Sequence, residues 1–287
     1  TVCRERFSTK TMKSFKFIDS IAVTSPAYST EERAAVLKNT AKREKIKLAG
    51  TPLEQENTIK YAAEIASGFP FIYLQNLAKK AASVAVEKGH KGISKADFTE
   101  AYLQITTGRA STRKINEHEK LIVTSHECGH ATNLQVMNNV AKTRGEKWHV
   151  PTKVNFITLD PRGMFGGAVF SGYDANKQVS FETMFSDIVY SFGGNSAEQT
   201  FYNMNGSYGI SCDMQSVRED VEEMVKVMGL GAKTGKMSIE AGEDLSDKTK
   251  EMIEDDERVI IHNGKIVSDL ITEIYADFNK EFTEKYA

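Results

Sequence analysis

The sequence predicts a mainly α (α+β) protein: a small helical bundle, then a mostly helical domain with a small β-sheet. Three observations lead there. Helix-start signatures and alanine-rich periodic segments recur over residues 28–108. Two histidines four apart lie inside a proline-free helical pattern at residues 116–138. Residues 153–159 (KVNFITL) alternate as a half-buried strand does.

Taken in order, residues 15–23 read as a strand ending near Pro26. Ser29, Thr30, Glu31 and Glu32 form a capping-box pattern that opens a first helix through Leu37. Residues 54–67 give a second helix, ending at Gly68. Residues 71–88 (FIYLQNLAKKAASVAVEK) give a long third one, stopped by Gly89. Ser94 caps a fourth helix through Leu103, and residues 106–112 form a polar linker into the motif helix. Beyond that helix, residues 153–159 and 168–170 read as strands, with Gly163, Gly166 and Gly167 between them. Residues 181–202 read as a helix interrupted by Gly193-Gly194, and residues 212–228 as another, ending at Gly229. Residues 233–256 look charged and loop-rich. Residues 267–286 close the chain as an amphipathic packing helix, with Leu270, Ile274, Phe278 and Phe282 along one face.

The chain has 287 residues, 26% charged and 40% hydrophobic, with net charge −2, enough for two folded domains. Near-neutral charge argues against nucleic acid as a partner. Cys3, Cys128 and Cys212 have no framework spacing, which suits a reducing compartment. No apolar run approaches the roughly 20 residues that cross a bilayer, so the chain reads as soluble.

The chemistry concentrates at His126-Glu127-Cys128-Gly129-His130. Histidines at i and i+4 on a helix project to one side, which is what zinc needs from two of its ligands. Glu127 is then near the metal without being aimed at it, placed to take a proton from an attacking water. Gly129 leaves room for another backbone to come close. Cys128 points away from the histidines and reads as a buried thiol. A catalytic zinc takes a third protein ligand. Glu198, on a helix, and Asp213, at a helix start, both qualify, and the residues alone do not choose between them. Residues 231–237 (GAKTGKM) imitate a phosphate-binding loop, but the first glycine is misplaced, methionine stands for Ser/Thr, and no strand precedes them.

Residues 115–229 resemble the peptidase domain of FtsH-type proteases, the membrane-anchored, ATP-dependent zinc metalloproteases of bacteria, mitochondria and chloroplasts. The family's H-E-A-G-H-A is matched by the run from His126 to Ala131, and its P-R-G turn by Pro161-Arg162-Gly163. Its G-G-R-A-A-E-E helix is resembled by Gly193-Gly194-Asn195-Ser196-Ala197-Glu198-Gln199. Its G-A-S-N-D-L is resembled by Gly209-Ile210-Ser211-Cys212-Asp213-Met214. Cys128, Asn195 and Cys212 depart from the family's alanine, arginine and asparagine. Gly68-Phe69-Pro70 and the segment from Ile93 to Phe98 resemble the helical lid of an AAA-plus ATPase module, which precedes the protease in these proteins.

The resemblance implies three regions: residues 1–27 as the tail of an AAA-plus ATPase core, 28–108 as the AAA-plus helical lid, and 114–287 as the zinc metallopeptidase. Asp213 becomes the third zinc ligand with His126 and His130, and Glu198 the residue that orients a ligand histidine. One Zn2+ per chain is implied, with ATP and Mg2+ belonging to an ATPase core that this sequence lacks. Unfolded polypeptides would be the substrates. The longer protein would be a homo-hexamer, membrane-anchored through a segment outside this chain, with the protease facing the cytoplasm. An edge strand carrying Val154, Phe156 and Thr158 is the expected backbone-pairing site for substrate. Two rivals go with this reading: a pseudoprotease acting as chaperone or ring subunit, and a closed structural metal site with Cys212 as fourth ligand.

Overall fold

A computed structural model describes residues 28–111, 115–145, 153–162, 166–172, 179–239 and 242–287. The expected strand at 15–23, the ATPase tail at 1–27 and Gly163 lie outside the described residues.

Four helices form the first unit: α1 (Thr30–Arg43), α2 (Pro52–Ile65), α3 (Phe71–Glu87) and α4 (Lys95–Thr106). Three of them open on capping boxes, Ser29 with Glu32, Thr51 with Glu54, and Ser94 with Asp97, so orphan N–H groups at their starts are satisfied locally. Leu37, Leu74, Leu77, Val84 and Phe98 fill the core, and Ala62, Ala63, Ala78, Ala81 and Ala101 let the helices close on one another. A parallel bridge between Leu48 and Ile93 joins the two loops at one end.

The second unit begins with α5 (Glu117–Thr143), the helix that carries the histidine motif. Strands β1 (Val154–Thr158) and β2 (Ala168–Ser171) pair antiparallel, with Phe156 opposite Phe170 and Ile157 opposite Val169. Next come α6 (Phe181–Tyr202) and α7 (Ile210–Glu222), the latter widening into a π turn over Glu223–Val227. Then α8 (Asp247–Ile274) and α9 (Ala276–Tyr286) end the chain.

Gly193-Gly194 does not interrupt α6, contrary to expectation. The pair sits mid-helix where α5 crosses. A Cβ on Gly129 would lie 2.2 Å from the Gly193 carbonyl oxygen, and one on Gly193 would lie 2.6 Å from Gly129. The glycines let two backbones touch, and the packing outweighs their low helix propensity.

The C-terminal third also departs from expectation. Helix begins at Asp247 inside the segment read as loop-rich, and the closing helix is broken at Tyr275. Its expected packing face points outward: Leu270, Ile274 and Phe278 are 53%, 66% and 52% exposed, and Phe282 is half-buried. The buried face is mostly small and polar instead, with Ile271 among Ser268, Thr272, Asn279 and Thr283. At Gly264 an added Cβ would come within 2.7 Å of Ile188 Cγ2. Asn133 Nδ2 donates to Val189 O and to Ser268 Oγ, both at 2.7 Å. Ser125 Oγ donates to Asn279 Oδ1 at 2.8 Å, and Asn279 Nδ2 returns a bond to Ser125 O. Buried polar groups are tolerated when paired in this way.

The bundle meets the second unit at the turn after β1. Arg162, 2% exposed, places Nη2 2.6 Å from Glu100 Oε2 and donates from Nη1 to Gly108 O. The Ser111 N–H donates to Pro161 O at 2.7 Å.

Gly129→Ala forces the α5–α6 crossing apart. It is expected to cost about 3 kcal/mol, the upper end for overpacking a core, read as a lower denaturation midpoint with unchanged m-value.

Candidate metal centre

Helix α5 presents His126 and His130 one turn apart, and α6 turns both rings inward. His130 Nδ1 lies 2.7 Å from Tyr190 O; a carbonyl only accepts, so Nδ1 carries the proton and Nε2 keeps its lone pair. His126 Nδ1 donates to Glu198 Oε1 at 2.8 Å. The two Nε2 atoms then face each other at 3.0 Å. The His126 ring fits because position 194 has no side chain: a Cβ there would stand 2.2 Å from its Cε1.

Asp213, in the first turn of α7, closes the group. Its Oδ2 is 3.4 Å from His126 Nε2 and 3.3 Å from His130 Nε2, buried and without a hydrogen bond. One donor atom from each residue lies within 4.8 Å of the others, the arrangement that holds a metal ion. Burial pushes the His126 pKa down, but the carboxylates of Asp213 and Glu198 outweigh it and raise it to about 10. Burial likewise raises Asp213, and the two imidazoles outweigh it, holding the carboxyl well below its usual range. Without metal the cluster is an ion pair; a metal would displace the proton.

Glu198, 1% exposed, is fixed from behind. The Ser207 N–H donates to its Oε2 at 2.6 Å and the Ser207 hydroxyl to its Oε1 at 2.7 Å. Burial raises its pKa, but His126 and Ser207 bring the net shift down. Asn203, in the left-handed conformation at φ 52°, ends α6 and turns the chain into the loop carrying Ser207. Asn195 holds that loop by donating to Asn205 O at 3.2 Å.

Glu127 leaves α5 toward the hairpin and is buried. Burial raises its pKa, and the charges of the two histidines act against that without cancelling it. A raised pKa makes Glu127 a stronger base than an exposed carboxylate. Gly167 permits the approach, since a Cβ there would meet Glu127 Cγ at 2.9 Å.

Val154, Phe156 and Thr158 sit on β1, paired with Ser171, Phe170 and Ala168, and the Phe156 ring stacks on Phe170 at 4.8 Å. The strand nearest Glu127 is β2, through Gly167 just before it. Sequence reasoning missed the approach of the Gly167 backbone, the Tyr190 carbonyl and the clamp from Ser207. Of these only the glycines before β2 left a trace, as a place for close backbone approach.

The other motif residues separate cleanly. Cys128 is buried, its thiol raised to about 11 by burial, while Cys212 is exposed and outside the donor group. The closed site with Cys212 as fourth ligand does not form among the described residues. The phosphate-loop imitation is filled by the protein itself: Asp256 accepts from Lys233 N and Thr234 N at 2.8–3.0 Å.

The sequence profile of peptidase family M41 matches residues 113–285, more than half of the 287-residue chain. The chain belongs to peptidase family M41. It is similar to the ATP-dependent zinc metalloprotease FtsH of Ruminiclostridium cellulolyticum, 26% identical over 253 residues that cover 82% of this chain and 39% of that protein. The protein of the same name from Oenococcus oeni is 28% identical over 261 residues, covering 86% of this chain and 34% of that one. The ATP-dependent zinc metalloprotease FtsH 2 of Petrotoga mobilis is 30% identical over 194 residues, 67% of this chain and 29% of that protein. The chain thus spans well under half the length of the curated relatives it matches.

Two nitrogens and a carboxylate oxygen suit zinc, and Asp213 Oδ2, buried without a hydrogen bond, is the atom that a cation would satisfy. A buried carboxylate, Glu127, stands beside them. Removing the outer support should weaken metal binding. Glu198→Ala is expected to lower zinc affinity about 10–100-fold, measured by competition with a chromophoric chelator.

Proposed function

We propose that this chain cleaves peptide bonds in unfolded or misfolded polypeptides as a zinc-dependent endopeptidase, with Glu127 as general base. The observation that carries the reading is the convergence of His126 Nε2, His130 Nε2 and Asp213 Oδ2 beside a buried Glu127 whose pKa is raised. His126, His130 and Asp213 would hold the ion, and zinc supplies Lewis acidity that makes water reactive near pH 7 and polarises the scissile carbonyl. Glu127 takes one proton from the attacking water as its oxygen bonds to the carbonyl carbon. It then gives that proton to the amide nitrogen as the C–N bond breaks, so water is added across the bond. Glu198, held by Ser207, keeps His126 in the tautomer that presents Nε2.

Substrate in extended form adds to an edge of the hairpin, where main-chain pairing recognises any sequence. Val154, Phe156 and Thr158 on β1 offer one edge. The approach of β2 to Glu127 and the packing of the Phe156 ring favour the β2 edge. In the whole protein, ATP-driven unfolding by a homo-hexamer would supply the substrate, with residues 28–108 as the ATPase lid. The resemblance supports this, and the relatives' names support the ATP dependence. No helix among the described residues is long and apolar enough to cross a membrane, so membrane anchoring, where present, comes from a segment outside them.

Glu127→Gln is expected to reduce cleavage of an unfolded protein by about 10²–10⁴-fold while zinc per chain stays at the wild-type level. Chelation of the wild type should abolish cleavage, and added zinc restore it. Retained cleavage by Glu127→Gln sinks the assignment, and a zinc-loaded wild type that cleaves nothing moves the chaperone reading to the front.

A further inference from the structure

We propose that Tyr102, in the helical bundle, is a positioning residue for Glu127, acting through the β1–β2 hairpin. The inference rests on the peptidase reading above. A two-stranded hairpin is marginal by itself in water and needs a packed face to persist. This one is held on both faces. Toward α5, Gly167 lies against Glu127 and Val123, and Val169 follows two residues on along the same face. Successive strand residues point to opposite faces, so Phe170 turns the other way, toward the bundle.

There Tyr102 meets it. Its ring stands edge-on to Phe170 at 5.5 Å and to Phe156 at 5.9 Å, with interplanar angles of 84° and 86°. Its other face stacks on Phe69 at 5.2 Å, and Phe69 belongs to the bundle core. Tyr102 is thus the bridge between the apolar core of residues 28–106 and both strands of the hairpin. The ion pair of Arg162 with Glu100, on the same helix as Tyr102, fixes the end of β1 to the bundle as well.

The consequence is local. Phe170 is gripped by the bundle, and three residues before it the Gly167 backbone lies against Glu127, where an added Cβ would stand 2.9 Å from its Cγ and 3.0 Å from its Oε1. When the aromatic clamp is lost, β2 is free to lift, and Glu127 loses the backbone wall that fixes its direction. The metal donors are positioned otherwise, through Tyr190 O, Glu198 and α7, and do not touch Tyr102. Turnover and metal binding therefore respond differently to Tyr102. The contacts are made by the ring, so phenylalanine serves in its place.

The test uses the full chain, zinc-loaded, with a short unstructured fluorogenic peptide and hydrogen exchange read over residues 166–172. Tyr102→Leu is expected to speed exchange there about tenfold or more while α5 exchanges as in wild type. It should lower kcat about tenfold or more with zinc per chain and zinc affinity unchanged, and Tyr102→Phe should restore both readouts. Phe170→Leu, which leaves the bundle core intact, should reproduce the effect from the hairpin side should Tyr102→Leu fail to fold. Wild-type kcat and exchange in the leucine variants overturn the proposal. So does loss of zinc or faster exchange throughout α5, which would make Tyr102 a general packing residue. A wild type without peptidase activity would refute the peptidase reading instead, and the exchange arm would still decide whether Tyr102 holds the hairpin.

Discussion

Backbone contact between α5 and α6 at Gly129 and Gly193 is the constraint on which the centre depends. The two helices run antiparallel through this point, and their contacts follow in order along both. Asn133 meets Val189 O, His130 meets Tyr190 O, Gly129 meets Gly193, and His126 meets Gly194 and then Glu198. Had either glycine a side chain, the axes would move apart and every one of those contacts would lengthen together. Helix–helix distances of 8–10 Å are usual with ordinary side chains. Only a closer crossing lets a main-chain carbonyl of one helix orient an imidazole of the other. Two glycines in helix interiors cost about 1 kcal/mol each relative to alanine, which the packing here must offset.

Electrostatics explains why such rigidity is needed. Glu127, Glu198 and Asp213 bring three carboxylates into a small, largely dry volume around two imidazoles. Isolated buried charges are expensive, and pairs among them compensate only when the geometry is good. In the metal-free chain the compensation falls to a proton on His126, held by Asp213 and Glu198. A divalent cation would do it better, because His126, His130 and Asp213, whose Oδ2 has no hydrogen bond, could all hold it at once. The site is thus built around a charge it does not itself contain. Its partners are oriented in advance by Tyr190 O and Ser207, so little reorganisation accompanies binding.

What was legible in the sequence follows the range of the interactions involved. The histidine motif, the capping boxes at Ser29 and Ser94, and the alternation from Val154 to Thr158 are local patterns, and each element formed where those patterns stand. The fit at Gly129 was legible too, though its partner was not. The Gly193-Gly194 pair reads locally as a helix breaker and becomes a contact surface only once α5 is present. Leu270, Ile274 and Phe278 make the better apolar stripe by periodicity, yet the chain buries Gly264, Ser268 and Asn279. Close approach and paired polar groups outweigh hydrophobic area there, and no pattern within one helix carries that information. Ser207 acts through backbone and loop geometry, which leaves almost no trace in residue type. The choice of Asp213 over Glu198 came from family resemblance, and the geometry now gives them different neighbours: Asp213 faces both Nε2 atoms, Glu198 the Nδ1 of His126.

The centre therefore has two kinds of support that differ in stiffness. The two histidines hang on a long helix packed over much of its length, whose opening approaches global unfolding in cost. The base is steadied by a hairpin whose second strand has four residues, held between α5 and a separate helical bundle. Elements of that kind open at lower cost than the core. A metal can consequently stay bound in a chain whose base is out of place, and turnover becomes a property of how the two units sit together. Such an arrangement withdraws Glu127 from the two histidines whenever the bundle and the hairpin separate. The ring of Tyr102 is where that separation would begin, because it touches Phe69 and the aromatic rings of both hairpin strands.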